Sequence, residues 1–102
     1  MKYSIELTVT AKEMLDSIQL NHRKKIVEQI RTSEKEPEKK GKSLHGELSG
    51  FYSLHFSRYR VIYTIDKGRV VVIVVAAGLR KEGERYDIYA LAKKIIRSGL
   101  IK

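Results

Sequence analysis

Residues 70–77 read Val70-Val71-Val72-Ile73-Val74-Val75-Ala76-Ala77, an unbroken apolar run dominated by β-branched side chains. A strand with one wet face alternates polar and apolar residues, whereas a run like this suits a strand covered on both faces. The neighbouring segments must therefore supply both the pairing strands and the covering layers. Immediately upstream, Arg58 to Ile65 alternates, which sends Val61, Tyr63 and Ile65 inward and Arg60, Ile62 and Thr64 outward. Asp66-Lys67-Gly68 then offers a turn whose glycine can take positive φ. Phe51 to Phe56 alternates as well, with Tyr52, Leu54 and Phe56 on one face and Ser53 and His55 on the other. A three-stranded meander is expected.

Farther out the period changes. Lys2 to Thr8 alternates as a half-buried strand, with Tyr3, Ile5, Leu7 and Val9 on one side. Thr10-Ala11-Lys12-Glu13 has the form of a capping box and predicts a helix start, after which Ala11, Met14, Leu15 and Ile18 make one stripe reaching about Gln19. Asn21 is the expected cap of a second helix that buries Ile26, Val27 and Ile30 and is closed by Pro37. Gly41, Gly46 and Gly50 punctuate a loop. Beyond the apolar run, Leu79 to Arg85 is polar, and from Tyr86 onward Ile88, Leu91, Ala92 and Ile95 restore the helical period. Gly99 stands where a left-handed helix terminus is expected, with Leu100 as its hydrophobic contact. The reading is an α+β single domain over 1–102, β-α-α-β-β-β-α, whose antiparallel-rich sheet carries a helical hairpin on one face.

With 102 residues the chain can build one hydrophobic core. It has no cysteine and only three histidines, His22, His45 and His55, so thiolate metal sites, disulfides and a histidine-based zinc centre are not expected, and no cofactor is implied. The polar–apolar alternation at the N-terminus does not resemble a signal peptide, and no apolar stretch has the length of a membrane helix, so a cytoplasmic protein without a membrane partner is expected. Twenty-one Lys and Arg against 12 Asp and Glu give a formal charge of +9, which points to an anionic partner, nucleic acid first.

Strand parity then brings chemistry together. If Leu54, Val61 and Tyr63 face the helical hairpin, His55 and Arg60 leave neighbouring strands on the opposite face. Arg80, just past the apolar run, and Tyr86, at the start of the last helix, are joined to that rim by a short connection. Arginine binds phosphate through its planar fork, histidine titrates near neutrality, and tyrosine can stack on a base or pass a proton. Such a set could cleave RNA through attack by the 2′-hydroxyl, a reaction needing proton transfer and charge stabilisation on the phosphoryl oxygens. Singly, each has a plainer reading: a salt-bridging arginine, a packed tyrosine, an exposed strand histidine.

Three stretches carry a likeness: Leu48-Ser49-Gly50-Phe51-Tyr52-Ser53-Leu54-His55-Phe56, Tyr59-Arg60-Val61-Ile62-Tyr63, and Val74-Val75-Ala76-Ala77-Gly78-Leu79-Arg80 with Tyr86 behind it. Together they resemble the RelE/ParE toxin superfamily over nearly the whole chain. The resemblance implies a microbial RNase-like fold. Its RelE branch implies the toxin of a type II toxin-antitoxin system, a metal-independent endoribonuclease that cuts mRNA in the ribosomal A site and so inhibits translation. It implies Arg60 as the arginine that steadies the transition state, Arg80 as the one that handles phosphate, and Tyr86 as the tyrosine near the scissile nucleotide. Two lysines of the RelE pattern correspond here to Ser53 and His55, which makes His55 the candidate base and leaves one phosphate contact unassigned. The implied partners are the ribosome, mRNA and a cognate antitoxin, acidic on electrostatic grounds. The ParE branch implies a DNA gyrase inhibitor without nuclease activity, and a non-catalytic binding module is the third reading.

Overall fold

The apolar run lies in an interior strand of a five-stranded sheet, in a computed structural model that describes residues 2–99. The strands are β1 (Ser4–Leu7), β2 (Lys42–Ser43), β3 (Phe51–Phe56), β4 (Tyr59–Asp66) and β5 (Val71–Leu79), and the helices α1 (Val9–Asp16), α2 (Leu20–Thr32), α3 (Pro37–Lys40) and α4 (Ile88–Arg97). The sheet order is β1-β5-β4-β3-β2. β1 pairs with β5 in parallel, and every other pairing is antiparallel. The expected order is present, with α3, β2 and a 3-10 turn at Gly46–Leu48 added inside the segment read as a loop. Two-residue strands carry no alternation, so β2 leaves no periodic trace in the sequence.

Both faces of β5 are covered, as its composition requires. Ala11, Leu15, Ile26 and Ile30 of α1 and α2 pack on Leu54, Val61, Tyr63, Val72 and Val74. On the other face Ile88, Ala92 and Ile95 of α4 pack on Ile62, Val75 and Ala76. Ile62, expected to face outward, is therefore fully buried, because the face opposite the hairpin is a second core beneath α4. Pairing with β4 runs Ile62↔Ala76 and then Tyr63↔Val74, so Val75 is a bulge residue. Val75 and Ala76 consequently both face α4, a break in alternation that an unbroken apolar run conceals.

Several local expectations are corrected. α1 is capped by Thr8, whose hydroxyl accepts from the Ala11 N–H (3.1 Å), because the chain is still extended there on leaving β1; Thr10 is already helical. α2 starts at Leu20 behind Gln19, which places Asn21 inside the first turn, since only Ser17, Ile18 and Gln19 separate the two helices. Pro37 does not close α2, which ends at Thr32; it opens α3 at the first helical position, where its missing N–H costs nothing. The positive φ near the β4–β5 turn belongs to Val70 (57°), while Asp66 Oδ1 accepts from the Arg69 N–H (3.1 Å) and ties the turn before it. α4 begins two residues after Tyr86, at Ile88, with Asp87 as its cap. Gly99 has the expected positive φ (76°), and its expected contact Leu100 lies outside the described residues.

The connection from α3 into β2 crosses Tyr63. The Tyr63 hydroxyl donates to the Pro37 carbonyl (2.5 Å), and a Cβ on Gly41 would collide with that ring. Burial holds the Tyr63 hydroxyl up at about 12. Among the described residues no helix is long and apolar enough to cross a membrane.

Candidate active site

Beside the first turn of α4, where β4 begins and β5 ends, lies a hollow of about 360 Å³ lined by Lys42, Leu44, His55, Arg60, Arg80 and Tyr89. Three of the four residues marked by the sequence meet there. His55 and Arg60 are direct cross-strand partners, and Arg60 is in turn paired with Gly78, two residues before Arg80. The Arg80 N–H extends the ladder by donating to the Arg58 carbonyl (2.7 Å). The bulge at Val75 shifts the phase of β5, so that Gly78 turns toward Ile88 on the α4 side.

Each cation is held differently. Arg60 donates through one guanidinium nitrogen to the carbonyls of Ser57 (3.0 Å) and Tyr59 (2.9 Å) and has no carboxylate partner among the described residues. Arg80 pairs with Asp87 (2.5 Å) and lies over the Tyr89 ring, 4.7 Å from its centroid. Asp87 is buried and does three things: it anchors Arg80, accepts from the Lys81 N–H, and caps α4 by accepting from the Tyr89 N–H (3.1 Å). The same carboxylate thus fixes the arginine and the first turn that carries Tyr89.

Tyr86 lies elsewhere. It is 62% exposed and lines a neighbouring hollow with Tyr59, Gln19, Lys81 and Leu91, apart from the two arginines. Tyr89 occupies the position among the cations, and its hydroxyl shares a hydrogen bond with the Ser53 Oγ (2.9 Å). Ser53, at 1% exposure, therefore steadies Tyr89 and does not reach into the hollow as a phosphate ligand. Sequence reading missed Asp87, Tyr89 and Lys42. A signal for the first two existed: an aspartate directly before an apolar-periodic run is a helix-start signature, and it puts Tyr89 in the first turn.

Partial desolvation, then Arg60, then Lys42 lower the His55 imidazole from its usual 6.5, which leaves it neutral and able to accept a proton at pH 7. Among the described residues no carboxylate lines the hollow; Asp87 stands behind Arg80. Among the described residues no cluster of His, Cys, Asp or Glu has the makings of a metal site. An excess of fixed positive charge, a neutral imidazole and a hydroxyl can together bind a phosphodiester and exchange protons with it.

Comparison with known proteins bears on the family and the fold. The sequence profile described as ParE toxin of type II toxin-antitoxin system, parDE, matches residues 5–82. The toxin-antitoxin complex RelBE2 of Mycobacterium tuberculosis contains a chain 28% identical to this one, with a TM-score of 0.72 over 78% of this chain and 100% of that chain. A free E. coli toxin RelE, mutated at two arginines, gives a TM-score of 0.76 at 17% identity over 95% of this chain and 98% of its own. The YoeB/ParE toxin of Agrobacterium tumefaciens gives 0.67 at 16% identity over 76% and 99%. The last two likenesses speak for the fold alone. No curated protein matches the sequence.

Proposed function

This chain belongs to the ParE toxin family of type II toxin-antitoxin systems, within the RelE/ParE superfamily, and from that premise we propose that it is a ribosome-dependent endoribonuclease that cuts mRNA and halts translation. The observation that carries the reading is the joint lining of one hollow by Arg60, Arg80, His55 and Tyr89 without an intervening carboxylate. In the reaction a ribose 2′-hydroxyl attacks the adjacent phosphorus and the 5′-oxygen leaves. Neutral His55 takes the 2′-proton. Arg60, paired with no acid among the described residues, meets the growing negative charge on the phosphoryl oxygens, and Arg80, aimed by Asp87, grips the phosphate. The Tyr89 hydroxyl, in the lining of the same hollow, is the group assigned to protonate the leaving oxygen, and exposed Tyr86 offers a face for stacking a base outside the hollow.

The relatives that occur in complexes with antitoxins support a cognate antitoxin here too. At +9 this chain favours an acidic one, which silences the site by covering Arg60 and Arg80 or by lifting α4.

The test is cleavage on ribosomes programmed with a defined message. Wild-type protein cuts within the A-site codon, and Arg60→Ala and Arg80→Ala each lose on the order of 10²-fold or more while staying folded. Uncut message with wild-type protein rejects the reading. A second reading, a gyrase inhibitor that cuts nothing, is favoured by the ParE description of the matching profile and by its end at residue 82, before Asp87 and Tyr89. DNA damage with intact message on expression selects it.

A further inference from the structure

Lys42 lies directly opposite Ser53 in the antiparallel β2–β3 ladder, so the two side chains leave the sheet on the same face at adjacent positions. Ser53 is buried and engaged with Tyr89, whereas Lys42 is exposed, lines the hollow, and makes no ion pair among the described residues. Read across the sheet, Arg80 follows β5, Arg60 sits on β4, His55 on β3 and Lys42 on β2. The register offsets the ends of this row along the strands, Arg80 standing level with Arg58 and Lys42 level with Ile62, and across the sheet three strand spacings, about 14 Å, separate them as well. That is longer than one phosphodiester, so the row is laid out for more than one phosphate.

We propose that Lys42 binds the phosphate flanking the scissile one, so that an RNA backbone crosses the strands from Arg80 toward β2. This deepens the ribonuclease reading and rests on it for the nature of the ligand. Lys42 supplies from the edge strand the cation that β3 does not supply at position 53. Its ammonium lies close enough to add to the lowering of the His55 imidazole, in keeping with its place in the lining of the same hollow. Gly41 has a part in this: without a Cβ it lets the chain pass over Tyr63 and bring Lys42 alongside β3.

The experiment is binding of a 2′-O-methyl tetranucleotide, which cannot be cut, measured across a salt series for wild type, Lys42→Met, Lys42→Arg and Lys67→Met. Lys67 lies in the turn at the other end of β4 and controls for loss of any positive charge. We expect Lys42→Met to lower the slope of log affinity against log salt by about 0.7, the share of one single-strand phosphate contact. Lys42→Arg and Lys67→Met should keep the wild-type slope. With a dinucleotide, which has one internucleotide phosphate, Lys42→Met and wild type should bind alike. An unchanged slope for Lys42→Met, an equal drop for Lys67→Met, or no binding by wild type overturns the proposal. Ribosomal cleavage, scored in parallel, keeps the two ideas apart: a slope change without any cleavage rejects the ribonuclease and retains the phosphate contact, and cleavage with an unchanged slope rejects Lys42 alone.

Discussion

Asp87 couples two tasks that usually fall to different side chains. It caps α4, and it fixes the guanidinium of Arg80. The tasks separate by substitution. Asp87→Asn keeps an acceptor for the cap, so stability should change by no more than about 1 kcal/mol, while cleavage falls with the loss of the ion pair; Asp87→Ala should lose both, with about 1 kcal/mol more taken from the cap. Equal activity in Asp87→Asn and wild type would falsify the aiming role. His55 gives a second prediction at this scale. Around it stand Arg60 on β4, Lys42 on β2, Arg80 after β5 and Tyr89 on α4, and cations outnumber every other group. Positive neighbours disfavour imidazolium, so the acidic limb of the rate profile should fall below 6.5, and NMR titration of His55 should move upward in Arg60→Gln. As pH drops below 6.5 the unfolded chain takes up this proton before the folded one, so His55 subtracts stability in acid. A His55 titration unchanged by Arg60→Gln would remove the electrostatic account.

Elements with a clear period were legible in the sequence, and those without one were not. β3, β4 and β5 announced themselves by alternation or by unbroken apolar character, and the stripe Ile88, Ala92, Ile95 located α4. Alternation told which face of β4 each residue takes, yet it could not tell that α4 covers the second face and buries Ile62. β2 and α3 are too short to carry a pattern, and with them Lys42 was lost. Tyr86 and Tyr89 both suit the polar-to-helical boundary by composition, and only the position of the Asp87 cap decides which of them enters the hollow. α3 and β2 depend on Tyr63. Its hydroxyl is neutral in the folded protein until about pH 12, whereas an unfolded chain releases that proton near 10. Stability should therefore be lost as pH rises from 10 through 12, by roughly 2 to 3 kcal/mol in all. Tyr63→Phe should start lower, since the Pro37 carbonyl loses its donor, and should no longer show this alkaline step in denaturant titrations. Persistence of the step in Tyr63→Phe would assign it to another group.

At the scale of the molecule, the charge of +9 and the two-layered cover of one sheet have different consequences. Net charge brings an anionic partner to the surface and does not choose where it lands; the landing place is the hollow at the start of α4, beside the first residues of β4 and the end of β5. Since Asp87 and Tyr89 belong to the start of α4, undocking that helix would take away the anchor of Arg80 and the hydroxyl of the hollow, while His55, Arg60 and Lys42 are carried by the sheet. The bulge at Val75 bears on how this chain can change in length. Removing one residue from an interior strand ordinarily turns every later side chain to the wrong face. Val75 is already the supernumerary residue opposite β4, so its deletion would join Val74 to Ala76 in plain alternation and keep Ala77, Gly78 and Arg80 facing as they do now. A chain lacking Val75 should fold with a valine-sized deficit beneath α4, weakened by about 1 to 3 kcal/mol in thermal unfolding, and should keep its activity; one lacking Ile62 of β4, a strand with no supernumerary residue to take up the loss, should fail to fold. Here, then, is an interior strand whose apolar run holds one residue more than its pairing needs, so that the gene could lose a codon there and the protein keep both its faces.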